Sequence, residues 1–201
     1  MAAASPVFLG GHPALDFLNT AFTPDGVQVE VLEDGRALLD WLVAAELLER
    51  SAANSLAQRL GTKALNSAAS GARELRERTR AWLEGARGKT PRRNLRAELG
   101  WLNELLCRGV WRRQVVAGET GPSAAEALDV DTADALLALL AWQIALLLTQ
   151  EDLSLIKQCA GPGCTIWFLD RTKAHHRRFC SAAACGNRAK VAAFRDRRRQ
   201  E

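Results

Sequence analysis

The C-terminal part of this 201-residue chain reads CAGPGCTIWFLDRTKAHHRRFCSAAACGNRAK, residues 159–190, and holds four of its five cysteines. They form two pairs, Cys159 with Cys164 and Cys180 with Cys185, and four residues separate the thiols of each pair. Four thiolates complete the tetrahedral shell of Zn²⁺ and leave no position for water or substrate. Residues 160–163 include two glycines and a proline, which allow the tight turn of a metal knuckle. The pattern predicts one structural zinc ion.

Disulfide bonds or free thiols are the alternative uses of these four cysteines. Residues 1–11 lack the basic start and the long apolar segment of a secretory signal. We therefore expect a cytoplasmic protein, in a compartment where disulfides are rare. Cys107 lies in an apolar stretch and is expected to be a small core residue.

Charge is distributed unevenly along the chain. Residues 157–201 contain 11 Lys+Arg and 3 Asp+Glu, a formal charge of +8, whereas residues 1–156 carry −4. A basic segment predicts a polyanionic partner, which could be nucleic acid, an anionic membrane or an acidic protein. A membrane is the least favoured of these, because the longest apolar stretch, residues 135–148, is shorter than the roughly 18 residues of a spanning helix. We expect that stretch to be a buried helix.

The first 155 residues have the pattern of a mainly α domain with minor β structure. Gly71 is expected to separate two of its helices, and five tryptophans are expected to fill its core or to line a small-molecule cavity. The predicted elements are a short helix from Pro13, a strand over 27–31, helices over 36–50, 54–65 and 72–84, a helix from Thr90-Pro91 to Leu106, a hairpin over 110–130 and an apolar helix capped by Asp131 or Thr132. The tryptophans are Trp41, Trp82, Trp101, Trp111 and Trp142.

This domain has no sequence signature of catalysis. It lacks a Gly-rich phosphate loop, an H-E-x-x-H motif and a Ser/His/Asp set, so we expect no enzymatic activity. His12, Asp16 and Asn19 could line a pocket for a small-molecule effector, or they could have capping and turn roles.

Two segments of this chain resemble known families. Cys159, Cys164, Trp167–Asp170, Arg177–Ser181, Cys185–Arg188 and Lys190 closely resemble the CGNR zinc finger, whose name is the tetrapeptide at residues 185–188. Leu15–Thr20, LDFLNT, and the apolar helix before the first cysteine resemble the ABATE domain, which commonly precedes this finger. Thr172 and Phe179 stand where serine and tryptophan are usual in the finger, and neither change affects the metal ligands.

The resemblance implies a bacterial, stress-related transcription regulator that binds zinc and DNA. The expected fold is mainly α with minor β: an ABATE-like α-rich domain over residues 1–155, for sensing or dimerisation, and a small treble-clef-like zinc finger over residues 156–201, hereafter the finger. Within the finger we expect a hairpin, with residues 166–169 pairing with 177–179, and a helix over 183–199. Val191 and Phe194 should face the core of the finger.

Candidate nucleic-acid contacts lie in the predicted hairpin and on the helix. Asn187 could instead brace the metal knuckle, and Arg188 could instead pair with Asp170. His175 and His176 could also replace zinc ligands, although four cysteines already complete the shell. The candidate set is His175, His176, Arg177, Arg178, Asn187, Arg188, Lys190, Arg195, Arg197, Arg198 and Arg199.

Three functions remain open from the sequence. The first is a DNA-binding regulator, expected to be a homodimer because a single module buries only about 600–1,000 Å² on DNA. The second is an RNA- or ribosome-associated zinc protein, in which Trp167 and Phe168 could stack on unpaired bases. The third is an enzyme that acts on a small molecule and uses the finger only for stability.

Overall fold

The computed structural model describes residues 5–23, 27–86, 99–118 and 121–200. Its helices are α1 Pro13–Leu18, α2 Gly35–Ala44, α3 Arg50–Ala86, α4 Gly100–Leu106, α5 Ala133–Gln150 and α6 Asn187–Gln200. Its strands are β1 Ala21–Phe22, β2 Val29–Glu30, β3 Val110–Gly118, β4 Gly121–Asp129, β5 Ile156–Gln158 and β6 Trp167–Leu169, paired in sequence order as three antiparallel two-stranded sheets. The mainly α fold with minor β structure is confirmed.

Helix α5 is the centre of the N-terminal core. Thr132 caps it by accepting a hydrogen bond from the amide of Ala135 at 3.1 Å, as predicted. Leu136, Leu140 and Ile144 are fully buried, and the helix contacts α1, α3 and α4. Among the described residues it is also the one helix that could span a membrane by length and composition, with 18 residues and a mean hydropathy of 1.6. Its contacts are those of a core helix.

Helix α1 begins at Pro13, as predicted, and its polar neighbours have structural roles. The Nδ1 atom of His12 accepts a hydrogen bond from the amide of Ala14 at 3.1 Å, which caps the helix. The carboxylate of Asp16 accepts one from the amide of Gly10 at 2.7 Å. Both residues therefore take the capping and turn roles that were the alternative to a ligand pocket.

The break predicted at Gly71 was wrong, because α3 continues through that residue. The helix is interrupted at Gly61 instead, where φ is 71° and ψ is 166°, a conformation that glycine adopts without strain. Gly71 lies inside the helix, where a Cβ atom would come within 2.9 Å of Leu137 on α5. Gly71 therefore permits close packing of two helices and does not end one.

Other boundaries are shorter than the sequence suggested. Helix α2 ends at Ala44 and not near Arg50, and Glu46 has a φ of 58°, outside the helical region. The strand expected over 27–31 is reduced to Val29–Glu30. Most of the helix predicted from Thr90-Pro91 falls outside the described residues, and α4 forms its last part.

A row of arginines on α3 holds the segment between α1 and α2. The guanidinium of Arg76, on a side chain only 4% exposed, contacts both carboxylate oxygens of Glu30 at 2.6 and 2.7 Å. Arg73 donates to the carbonyl of Leu32, and Arg80 donates to that of Leu18. These contacts fix β2 and the end of α1 against α3.

The predicted hairpin is formed by β3 and β4, in register from Val110 opposite Asp129 to Gly118 opposite Gly121. At its base Trp111 lies edge-on to Trp142, whose ring centroid is 5.0 Å away. Trp142 is 36% exposed, so the prediction that it fills the core was wrong. Cys107 is also exposed, contrary to prediction, because it follows the last residue of α4 while Trp101 and Leu102 form the buried side of that helix.

Candidate metal centre

The finger brings the four predicted cysteine ligands together. Their sulfur atoms all lie within 4.8 Å of one another, with Cys164 to Cys180 at 3.9 Å and Cys180 to Cys185 at 3.6 Å. A zinc ion bound at about 2.3 Å from each sulfur requires sulfur separations of about 3.8 Å. A disulfide would require about 2.05 Å, and all four are free thiols. The donor set therefore has the composition and the size of a four-cysteine zinc site.

The first knuckle directs backbone amides at one thiol. Cys159 Sγ accepts hydrogen bonds from the amide of Gly161 at 3.4 Å and from that of Cys180 at 3.3 Å. A Cβ atom on Gly161 would lie 3.1 Å from the Cys185 sulfur and 3.4 Å from the Cys159 sulfur. The glycine thus leaves room for the sulfur cluster, which is why this loop needs a residue without a side chain.

The titration of the thiols favours a bound cation. Burial opposes ionisation of Cys159, but the amides of Cys180 and Gly161 outweigh it and lower the pKa of this thiol. Burial, with the neighbouring thiols, raises the pKa of Cys180 above its usual range, and it raises the pKa of Cys185 to about 11. A positive ion at the centre of the cluster would favour ionisation of Cys180 and Cys185 at neutral pH.

Each residue of the CGNR tetrapeptide has a structural contact. Cys185 supplies a thiol, and the amide of Gly186 donates to the carbonyl of Ser181 at 2.9 Å, closing the π-helical turn Ala182–Gly186. The Asn187 amide donates to the carbonyl of Ala183 at 3.1 Å, which is the bracing alternative proposed from the sequence. Arg188 Nη2 lies 3.1 Å from the Cys185 sulfur. The motif therefore supports the ligand turn directly.

Asp170, which the sequence offered as an alternative partner for Arg188, is held by donors from β5 and from the loop between the cysteine pairs. Its carboxylate accepts from Lys157 Nζ at 2.7 Å, from the hydroxyl of Thr172 at 2.6 Å and from the amide of Arg177 at 2.9 Å. Burial opposes ionisation of Asp170, but these donors outweigh it and hold its pKa below the usual value. Asp170 therefore organises the loop between the two cysteine pairs.

The strand of the finger pairs differently from the prediction. Strand β6 pairs with β5, immediately before the first cysteine, and not with residues 177–179. The physical reason is the knuckle, which reverses the chain so that β5 and β6 meet as its two arms, with the amide of Cys159 donating to the carbonyl of Ile166 at 2.9 Å. Trp167 and Phe168 are both 0% exposed. Neither ring is therefore accessible for stacking on a base, which the RNA alternative requires.

The LDFLNT motif of the N-terminal domain occupies the other edge of β6. Asn19 Nδ2 donates to the carbonyl of Trp167 at 2.8 Å, and Asn19 Oδ1 accepts from the amide of Trp167 at 2.8 Å. The amide of Leu169 donates to the carbonyl of Gly10 at 2.8 Å. The carboxamide of Asn19 thus takes the place of a peptide group in a third strand, a contact that no pattern in the sequence indicated.

The predicted basic residues fall into two groups. Arg177 is half-buried in the finger: its guanidinium stacks 4.1 Å from the Phe168 ring centroid and donates to the carbonyls of Phe179 and Cys180. These contacts favour a structural role for Arg177. The second group is exposed. It includes His175, whose φ is 51°, and Arg178, whose guanidinium lies 5.8 Å from the Phe179 ring centroid. Its other members are His176, Arg188, Lys190, Arg195 and Arg198. The side chains of Arg197 and Arg199 lie outside the described part of the chain.

Val191 and Phe194 are 49% and 55% exposed, so the prediction that they pack into the core of the finger was wrong. That core is made instead by the ligand cysteines with Ile166 and Phe168, and residues from the start of the chain, Val7 and Leu9, pack against it. The contacts of α6 are mainly with the π turn before it.

Comparison with known families agrees with this architecture. Residues 11–151 match the ABATE family, described as "putative stress-induced transcription regulator", and residues 156–198 match the CGNR zinc finger. A search among curated proteins found no match. An α-rich domain that carries LDFLNT, followed by a four-cysteine cluster that ends in CGNR, places this chain in the ABATE family, with a CGNR zinc finger after the family domain.

Proposed function

We propose that this protein is a zinc-dependent transcription regulator that binds duplex DNA through the finger. One zinc ion is held by Cys159, Cys164, Cys180 and Cys185 and has a structural role, because the four sulfurs leave no coordination position open. The observation that carries the proposal is the direct connection between this centre and a cationic helix: Cys185 lies in the π turn that leads straight into α6. Zinc therefore fixes the start of the helix that contacts DNA.

Charge supports DNA as the partner. The finger has a formal charge of +8, and a zinc centre with four thiolates would reduce it to about +6. Lys190, Arg195 and Arg198 on α6 are exposed, and the exposed His176 and Arg178 lie on the loop before the second cysteine pair. Cations on a rigid helix are the usual source of phosphate contacts. The burial of Trp167 and Phe168 removes the aromatic argument for unpaired RNA bases.

The N-terminal domain is proposed to sense a small-molecule effector and to dimerise, without catalytic activity, in the cytoplasm. A cavity of about 260 Å³ lies where this domain meets the finger, and the Nε atom of Arg80 at its wall is buried without a hydrogen-bond partner among the described residues. A ligand there would touch both domains. Its walls include Phe22, Gln28, Arg80, Glu84, Gln158 and Thr165.

Metal content is the first test. The reduced, full-length protein is expected to carry one zinc ion per chain by elemental analysis and to lose it together with the fold of the finger when a chelator is added. A metal-free protein whose finger remains fully folded, or a bound metal retained after Cys180→Ser and Cys185→Ser, would contradict the proposal.

Salt dependence of DNA binding is the second test. For a protein that contacts Z phosphates, log K falls with log salt at a slope of about −0.9Z. Replacing both Arg195 and Arg198 by glutamine is expected to reduce that slope by about two, whereas Arg113→Gln, on the exposed hairpin, should leave it unchanged. Weak, salt-independent binding to duplex DNA, or tighter binding to structured RNA at the same salt concentration, would contradict DNA as the partner.

A further inference from the structure

Helix α6 exposes large apolar side chains where a phosphate-binding helix needs only cations. Val191 is 49% exposed and Phe194 is 55% exposed, and neither belongs to a hydrophobic core formed by the described residues. Of the side chains described on this helix, all are exposed except the half-buried Ala189. The helix mainly contacts the π turn before it, so its sides are available to a partner.

The exposed apolar residues lie on one face of α6, between a polar residue at each end of that face. Asn187, Val191, Phe194 and Arg198 are spaced four, three and four residues apart, which aligns them along a single side of an α-helix. Lys190 lines a shallow groove with Val191, Phe194, Arg195 and Arg198, and the Arg198 guanidinium is 5.8 Å from the Phe194 ring centroid. An apolar centre is therefore bordered by cations on both sides.

The positive charge around this face indicates a polyanionic partner. Two copies of α6 placed face to face would bring Lys190, Arg195 and Arg198 against the same cations, which disfavours a contact between copies of this chain. A polyanion complements the border, and an α-helix fits the major groove of B-DNA, where phosphates flank the base edges on both sides. Duplex DNA therefore matches both the border and the shape of the face.

The apolar centre of this face, Val191 and Phe194, indicates an apolar contact inside the groove. The 5-methyl group of thymine is the apolar group that base edges present in the major groove, and apolar side chains pack on it. We propose that α6 enters the major groove and that Val191 and Phe194 contact thymine methyl groups, so that they determine the base preference of the finger. This inference rests on the proposed DNA binding and adds sequence readout to it.

The test removes the methyl groups and keeps the charge. Preferred duplex sites are first selected from a random library with the full-length, zinc-loaded protein. Each thymine in a selected site is then replaced by deoxyuridine, which lacks only the methyl group, and the dissociation constants are compared at one salt concentration. We expect about fourfold weaker binding for each contacted methyl group, the equivalent of burying one methyl.

Variants assign the effect to the helix. At the thymine that Phe194 contacts, Phe194→Ala is expected to bind thymine and deoxyuridine equally. The salt slope should stay that of the wild type, because no charge is removed. Val191→Ala should lose part of the discrimination. Val115→Ala is the matched control, because Val115 is 77% exposed on the β3–β4 hairpin, and it should keep the full fourfold difference. Zinc content and thermal unfolding of each variant confirm that the finger is intact.

The outcomes separate this inference from the function it rests on. Salt-dependent binding with a fourfold loss on deoxyuridine that disappears in Phe194→Ala supports the methyl contact. Salt-dependent binding without any deoxyuridine effect, or selected sites that share no thymine, overturns the methyl contact and leaves the DNA-binding proposal standing. Absence of salt-dependent duplex binding overturns both.

Discussion

Replacement of Asn19 by alanine tests how firmly the finger is attached to the N-terminal domain. Asn19 is 1% exposed, Trp167 is 0% exposed, and the two are joined by two hydrogen bonds of 2.8 Å that cross 148 positions of sequence. Asn19→Ala removes both bonds at once. On this edge of β6 the hydrogen bond from the amide of Leu169 to the carbonyl of Gly10 remains.

The expected cost follows from burial. Taking away the partner of a buried backbone donor or acceptor costs about 1–3 kcal/mol, because that group has already lost its water. Two such losses would cost about 2–6 kcal/mol, and entry of one water molecule into the space left by the carboxamide would recover part of it. We therefore expect the free energy of unfolding to fall by about 3 kcal/mol.

Urea unfolding of the zinc-loaded protein, followed by tryptophan fluorescence, measures this difference. Asn54→Ala is the matched control, since Asn54 is exposed on α3 and the same atoms are removed there without a buried partner. The rate at which a chelator extracts zinc should also rise in Asn19→Ala, because β6 supports the knuckle. If both variants unfold within 0.5 kcal/mol of each other, as surface substitutions do, the bonds to Trp167 do not join the domains.

Three further predictions concern the metal centre and the buried ion pair. Arg188→Gln should weaken zinc binding about tenfold in a competition assay, because a group bonded to a metal ligand tunes the affinity for the metal. Arg195→Gln should leave the zinc affinity unchanged. Equal zinc affinities of the two variants would refute the support of the Cys185 thiol by Arg188. Gly161→Ala should also lower zinc affinity, since its Cβ would lie 3.1 Å from the Cys185 sulfur, and unchanged affinity would show that the knuckle can relax. Arg76 outweighs the effect of burial and lowers the pKa of Glu30, so the stability from this pair is present above about pH 4 and is lost as pH falls through the lowered pKa. Glu30→Gln should therefore be less stable than the wild type by about 2 kcal/mol at pH 7, with the difference shrinking below pH 4 in urea unfolding; a pH-independent difference would refute the ion pair as its source.

Local chemistry made part of this structure predictable. The four cysteines could be assigned to one cluster because a zinc site of four thiolates uses short chelate loops. The π turn at residues 182–186 is compatible with the four-residue spacing between Cys180 and Cys185. Capping residues such as Thr132 and the proline at position 13 marked helix starts, since they satisfy amide groups within a few residues.

Long-range contacts were the part that the sequence did not predict. The pairing of β6 with β5 depends on the direction in which the knuckle turns the chain, and the core of the finger is packed by the distant Val7 and Leu9 while Phe194 is exposed. Arg76 reads as a surface residue in a helical pattern, and it is buried only because Glu30 and Thr20 meet it from a distant segment. Periodicity identifies an apolar face, but it does not say which distant segment will cover it.

The contact between residues 10–19 and β6 limits when the N-terminal core can be completed during synthesis. Gly10 and Asn19 leave the ribosome about 150 residues before β6, a delay of roughly 8–30 s at ordinary rates of synthesis. During that time α1 has no strand to hold, and the core that includes Trp167 and Leu169 remains incomplete. The N-terminal core is therefore completed only after β6 has been synthesised.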